Sequence, residues 1–284
     1  MPNTSAASAE KYKYDLENRT EGNPVMGGLI SDFSAVWKDW RVWFLLANQD
    51  VELRYRRSLL GPFWISLAMF SLILGIALLY SQIFEQPFRD YVIFIGTGLL
   101  VWTLISGLLT DGSQAVIEVE RYLRATRIPT TVLAARNAYR SSLILIHNAL
   151  PILVLILWIR HGLPLTSLLA IPGVMIILVF GFGATMVLAP LSARFRDLPQ
   201  LIASVMQLMF FITPLFWRPS QLATDHPVVQ FNPLHHLVEI VRQPLEGHLP
   251  TPTNYLVAIG VAVAALLLGA ATIQASRKKM FFWL

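Results

Sequence analysis

Residues 48–64 read NQDVELRYRRSLLGPFW, and this stretch joins two physically different segments. Before it lies an aromatic, charged, amphipathic run. After it, no charged residue occurs between Arg57 and Glu85, so residues 62–81 are long enough to cross a bilayer at about 1.5 Å per residue. Arg54, Arg56 and Arg57 form the positive flank expected on the cytoplasmic side of a span. Gly61 and Pro62 break the incoming helix and start a new one, because glycine permits the bend and proline suits a first helical turn. One explanation is a first span with its positive flank and its breaker. The other is a segment, carried by Arg54, Tyr55, Arg56 and Arg57, that sets a mobile helix against a cytoplasmic partner.

Upstream, residues 32–49 are expected to form one helix, capped by Ser31 or Asp32. Val36, Trp40, Trp43 and Ala47 recur at helical spacing, flanked by Phe33, Trp37 and Phe44, with Lys38, Asp39 and Arg41 between them. A tryptophan-rich amphipathic helix of this length lies in the membrane interface, and residues 31–57 are assigned to it, with Trp37, Trp40 and Trp43 as its anchors. A soluble helix packed on a partner is the alternative. Residues 1–30 form a cytoplasmic tail; the first 24 are polar, which predicts disorder, and no apolar run precedes a small-residue cleavage site.

Downstream, residues 58–284 form the membrane domain. Apolar runs predict spans at 62–81, 91–110, 141–159, 168–191, 198–217 and 255–275, an all-α membrane protein with six crossings. Pro151 is expected to kink the third span, and Gly181 and Gly183 to allow close helix approach in the fourth. Residues 111–140 read as a charged loop holding a short amphipathic helix over 116–128, stopped by Pro129. Its polar side carries Glu118, Glu120, Arg121, Arg124 and Arg127, and Tyr122 lies among its apolar residues. Mixed charge favours a protein partner, since lipid alone selects basic residues. Residues 218–252 contain Pro219, Pro227, Pro233, Pro244 and Pro250. They are too broken to span and too apolar for a free loop, so short re-entrant or interfacial helices on the outer face are expected.

Composition agrees with a membrane protein: 55% of the 284 residues are hydrophobic and 14% charged. There is no cysteine, which excludes disulfides and thiolate chemistry. On the six-span scheme, 18 of the 22 Lys and Arg fall on the side of the two termini, which places both termini in the cytoplasm. That distribution explains the net charge of +5 without nucleic acid. No internal repeat is evident.

The chain has no Walker-type phosphate loop, so energy for active transport must come from a partner, and no cofactor is expected in the chain itself. No metal site is expected: His235 and Glu239 share a helix face at i, i+4, but two ligands are too few. His147, inside the third span, is expected to be neutral and bonded across helices. Every Asp and Glu is expected in a loop or flank, which disfavours proton- or sodium-coupled transport. The remaining chemistry is aromatic: Phe210, Phe211, Phe216 and Trp217 crowd one end of the fifth span, and Trp102 sits in the second. Such residues form either an interfacial belt or a path and gate for sugar rings, whose C–H faces stack on aromatics.

The pattern D-V-x-L-R-Y-R-x-S-x-L-G-x-x-W over residues 50–64 resembles the approach to the first span in polysaccharide ABC exporter permeases. Residues 121–129, 191–199 and 210–246 are similar too, the last including ITPLFW and NPLHHLVEIVR. The resemblance implies a permease subunit for O-antigen, capsule or teichoic acid export in the bacterial inner membrane. It implies a homodimer with two copies of a separate ATPase that binds ATP and Mg, docked on the helix at 116–128, and a lipid-linked polysaccharide as cargo. Rivals are an exporter of a smaller lipid or drug with the same architecture, and a membrane-embedded glycan or acyl transferase using His235, His236 and Glu239.

Overall fold

The computed structural model describes residues 26–55, 63–119, 128–219 and 227–277. Every regular element among them is helical. In chain order they are α1 (Met26–Lys38), α2 (Trp40–Tyr55), α3 (Phe63–Ile83), α4 (Phe88–Glu118), α5 (Thr130–Arg160), a 3-10 turn (Leu165–Leu169), α6 (Ala170–Arg194), α7 (Leu198–Ile212), α8 (Pro227–Gln230), α9 (Pro233–Glu246) and α10 (Pro252–Ser276).

α4 is the centre. Residues 91–102 are buried without a break, as a helix apolar all round requires. α3, α5, α6, α7 and α9 all pack on it. α6 and α10 approach most closely where both carry glycine. A Cβ on Gly183 would sit 2.6 Å from the backbone of Ala265, and one on Gly269 would sit 2.8 Å from Gly183 O. One on Gly181 would enter Leu108 of α4. The two glycines expected to admit close neighbours do so.

Five helices are long and apolar enough to cross a membrane: α3, α4, α5, α6 with its preceding turn, and α10. The sixth expected span is different. α7 has 15 residues, about 22 Å against a core of about 30 Å, and stops at Ile212 rather than running to residue 217. The cause is Pro214, which disfavours helical backbone at Thr213; Thr213 is extended at φ −76°, ψ 135°.

Other expectations are also corrected. The single helix over 32–49 is two helices that turn at Asp39, and Ser31 and Asp32 lie inside α1 rather than capping it. Trp43 Nε1 spans the break and donates to Val36 O at 2.8 Å. α4 and α5 each have 31 residues, about 46 Å, so the charged stretch 111–140 is largely helical extension of two spans rather than loop. Residues 116–118 are the last turn of α4, and Pro129 caps the start of α5. Residues 120–127 lie outside the described residues.

Pro151 sits inside α5 and has no N–H for the His147 carbonyl. Ser66 of α3 fills the vacancy: its hydroxyl donates to His147 O at 2.8 Å. Among the described residues the hydrogen bond of the His147 ring stays within α5, with Nδ1 2.7 Å from Leu143 O, rather than crossing to another helix.

Candidate functional site

Two polar constellations interrupt the apolar bundle, one at each end. The first joins α2, α4 and α5. Arg136 and Arg140 stand one turn apart on α5. Arg136 forks onto Asp50 of α2, with Nε–Oδ2 at 2.7 Å and Nη2–Oδ1 at 2.6 Å. Glu118 Oε2 of α4 lies 3.4 Å from Arg136 Nη2 and 3.3 Å from Arg140 Nη1. Asp111 Oδ2 of α4 pairs with Arg140 Nη2 at 3.3 Å. The Arg136 and Arg140 side chains are only 8% and 6% exposed, so solvent screens these pairs weakly. A planar fork with two short, parallel bonds is the strong form of ion pair. Beneath it, Asn137 Nδ2 donates to Leu108 O and to Thr185 Oγ1, both at 2.9 Å, locking α4, α5 and α6 together. Gly112 is needed there, because its Cβ would lie 2.5 Å from Thr185 Oγ1.

This cluster overturns the expectation that every carboxylate falls in a loop or flank. Asp111 and Glu118 are helical and ion-paired with the buried Arg136 and Arg140. Of the expected coupling residues, Glu118 is in the cluster and Pro129 begins α5. Glu120, Arg121, Tyr122, Arg124 and Arg127 lie outside the described residues, as do Arg56, Arg57 and the side chains of Arg54 and Tyr55. The aromatic face of α1 and α2 lies beside the cluster. Trp37 and Trp40 are exposed at 82% and 48%, while Trp43 and Phe44 pack on Tyr139 of α5 at ring distances of 5.5 and 5.2 Å.

The second constellation lies at the opposite end, around α9. Asn232 caps α9 by accepting from Leu234 N at 3.0 Å, Pro233 fills its first turn, and Gly247 closes it in the left-handed region at φ 93°. Residues 234–242 are all buried. Short helices before the last span were expected; the burial of this one inside the bundle was not. It carries a charged pair inward: Arg242, 2% exposed, bonds Glu239 one turn earlier. Arg242 also lies over the Phe94 ring of α4 at 4.3 Å. His235 Nδ1 is 3.6 Å from Glu239, too long for a hydrogen bond. Burial, with help from Arg242 and His236 and against Glu239, pushes His235 down to about 4, so it is neutral beside the pair. His236 has both nitrogens engaged, Nδ1 with Asn254 Oδ1 at 2.8 Å and Nε2 with Gln230 O at 2.9 Å.

Between α7 and α9 runs an irregular segment, residues 213–218, whose polar groups need partners from elsewhere. Three side chains supply them. Arg242 Nη1 donates to Pro214 O at 2.6 Å, Asn232 Nδ2 donates to Thr213 Oγ1 at 3.0 Å, and the Tyr91 hydroxyl donates to Phe216 O. The segment brings the expected aromatics together. Phe210 contacts Trp102, Phe211 and Phe216 at ring distances of 5.9, 5.3 and 5.9 Å, and Trp217 Nε1 donates to Phe211 O at 3.2 Å. Tyr80 of α3 extends the chain of rings, 5.6 Å from Phe216. The face of α7 that carries Leu201, Val205, Leu208 and Phe211 is exposed, and Met206 is its one buried residue.

The family model for ABC-2 type transporters matches residues 41–245 of this chain. The O-antigen export system permease protein RfbA of Myxococcus xanthus is 27% identical over 241 residues, covering 83% of this chain and 92% of that protein. A protein of the same description from Klebsiella pneumoniae is 26% identical over 203 residues, covering 68% of this chain and 76% of its own length. The matched span runs from α2 to the last turn of α9 and so contains the Asp50–Arg136 cluster and the Glu239–Arg242 pair, and on it this chain belongs to the ABC-2 type transporter family.

Proposed function

We propose that this chain is the membrane subunit of an ATP-driven exporter of a lipid-linked polysaccharide in the bacterial inner membrane. It works as a homodimer with two copies of a separate ATPase. The carrying observation is the pairing of α7's uncovered apolar face with the aromatic-lined irregular segment at its end. An exposed helix face of this kind needs a second copy or lipid against it. Two such faces meeting leave a path whose walls are neutral and aromatic, suited to a sliding glycan and closed at one end by Phe211, Phe216 and Trp217. The names of the two bacterial relatives support O-antigen or a related envelope glycan as cargo.

α7 and the segment after it complete the sixth crossing. The end of α10 returns to α1, where Arg277 pairs with Asp32 at 3.4 Å, which supports an even number of crossings from α3 to α10. The distribution of Lys and Arg supports assigning that end to the cytoplasm. The ATPase docks on the stretch between α4 and α5. The transferase alternative is disfavoured, because the Glu239 carboxylate is held by Arg242 and both His236 nitrogens are occupied.

The test is co-purification with the ATPase and ATP hydrolysis. The chain alone is expected to hydrolyse no ATP, and the complex to do so. Reversing Arg121 and Arg124 to Glu is expected to abolish association while membrane insertion persists. Retained association of that variant removes the docking assignment, and hydrolysis by the chain alone removes the permease assignment.

A further inference from the structure

We infer that Arg242 is the positioning residue that latches the outer gate shut. The inference rests on the gate reading above, and Arg242 acts through backbone rather than by touching cargo. The irregular segment cannot hold its own shape, since it lacks the repeating hydrogen bonds of a helix. Tyr91 and Asn232 each provide one neutral bond to it, at Phe216 and Thr213. Arg242 provides a charge-assisted bond, from Nη1 to Pro214 O at 2.6 Å, where α7 has just ended.

Everything around Arg242 fixes that donor in place. Glu239 takes the other terminal nitrogen, which leaves Nη1 to the segment. The Phe94 ring supports the guanidinium plane. On α4, Gly98 leaves the space the contact needs: its Cβ would stand 3.3 Å from Leu215 O and 3.5 Å from Arg242 Nη1. Two residues beyond Pro214 is Phe216, which meets Phe210, Phe211 and Tyr80. The bond therefore sets where Phe216 and Trp217 stand. α9 also touches α6, α10 and the turn before α6, so a shift of those helices can move Arg242 and release the segment. A buried charge with no role in cargo contact is costly to keep, and a latch accounts for it.

The experiment measures resting ion conductance of the full chain with its ATPase in planar bilayers without ATP. Changing Phe216 and Trp217 together to Ala reports on the gate itself. Changing Glu239 and Arg242 together to Gln removes the latch without leaving a lone buried charge. The latch variant is expected to raise conductance at least about tenfold, the population change that losing one charge-assisted bond produces. Its ATPase rate and melting midpoint should stay near wild type. Conductance at background in the latch variant, with leakage in the aromatic variant, overturns the latch and leaves the gate. Background conductance in both overturns the gate reading and the latch with it. If the Gln pair does not accumulate in the membrane, Gly98→Val decides, because it keeps both charges and drives a side chain between Arg242 and the segment. Leakage in that variant supports the latch, and a closed channel overturns it.

Discussion

Asp50 is the residue that ties α2 to the bundle. It is the sole acidic group of α2 that the described contacts place against the bundle, and Arg136 grips it with two bonds. Removing one partner leaves the other charge poorly solvated, so Asp50→Asn or Arg136→Gln alone should cost roughly 2–4 kcal/mol, discounted for the part of Asp50 that water reaches. The double variant should cost clearly less than the two losses added. Thermal unfolding in detergent measures all three. Additivity within about 0.5 kcal/mol would show that the pair contributes nothing beyond its separate parts. The sequence displayed Asp50, Arg136 and Arg140 plainly, yet gave no sign that they meet. They are 86 and 90 positions apart, and only the antiparallel run of α2 along α5 joins them.

At the scale of elements, α9 is where sequence and structure differ most in emphasis. Its start and stop were legible: Asn232, Pro233 and Gly247 are ordinary cap residues. Its burial was not, since His, Glu and Arg at 235, 239 and 242 resemble a wet helix edge. The burial carries a pH signature. His235 is held near 4 in the folded protein against an ordinary value of 6.5. An unfolded chain therefore takes up a proton below about pH 6.5 that the folded one refuses until about pH 4. Stability from this group is complete above pH 6.5 and is lost as pH falls through that window. The melting midpoint should drop across it more steeply in wild type than in His235→Gln, which keeps the size but not the titration. Equal slopes for the two proteins would mean that His235 is already hydrated.

At the scale of the whole molecule, the six-crossing scheme stands on α7 and the segment after it completing one pass. With no native cysteine, single cysteines can report sidedness cleanly. Cysteine placed at Ser5 or Ser276 should react with an impermeant reagent only from the cytoplasm, and cysteine at Thr224 only from outside. External labelling at Ser276 would falsify the even number of crossings. The contact between Arg277 and Asp32 sets the end of α10 beside α1.

The sequence by itself determined that this is a helical membrane protein, where five of its long helices lie, and that the proline-broken stretch before the last span holds only short helices. These follow from local physics: apolar length, charge placement and the missing proline N–H. The glycines of α6 were legible for the same reason, since a missing Cβ matters wherever helices touch. What only the tertiary structure decided is which polar groups find each other. Ser66 answers the carbonyl that Pro151 frees 81 residues away from it, Arg242 answers the carbonyl of Pro214, and Asp50 answers Arg136. A buried polar group must be paired, but its partner can stand on any neighbouring helix, and only the packed bundle says which.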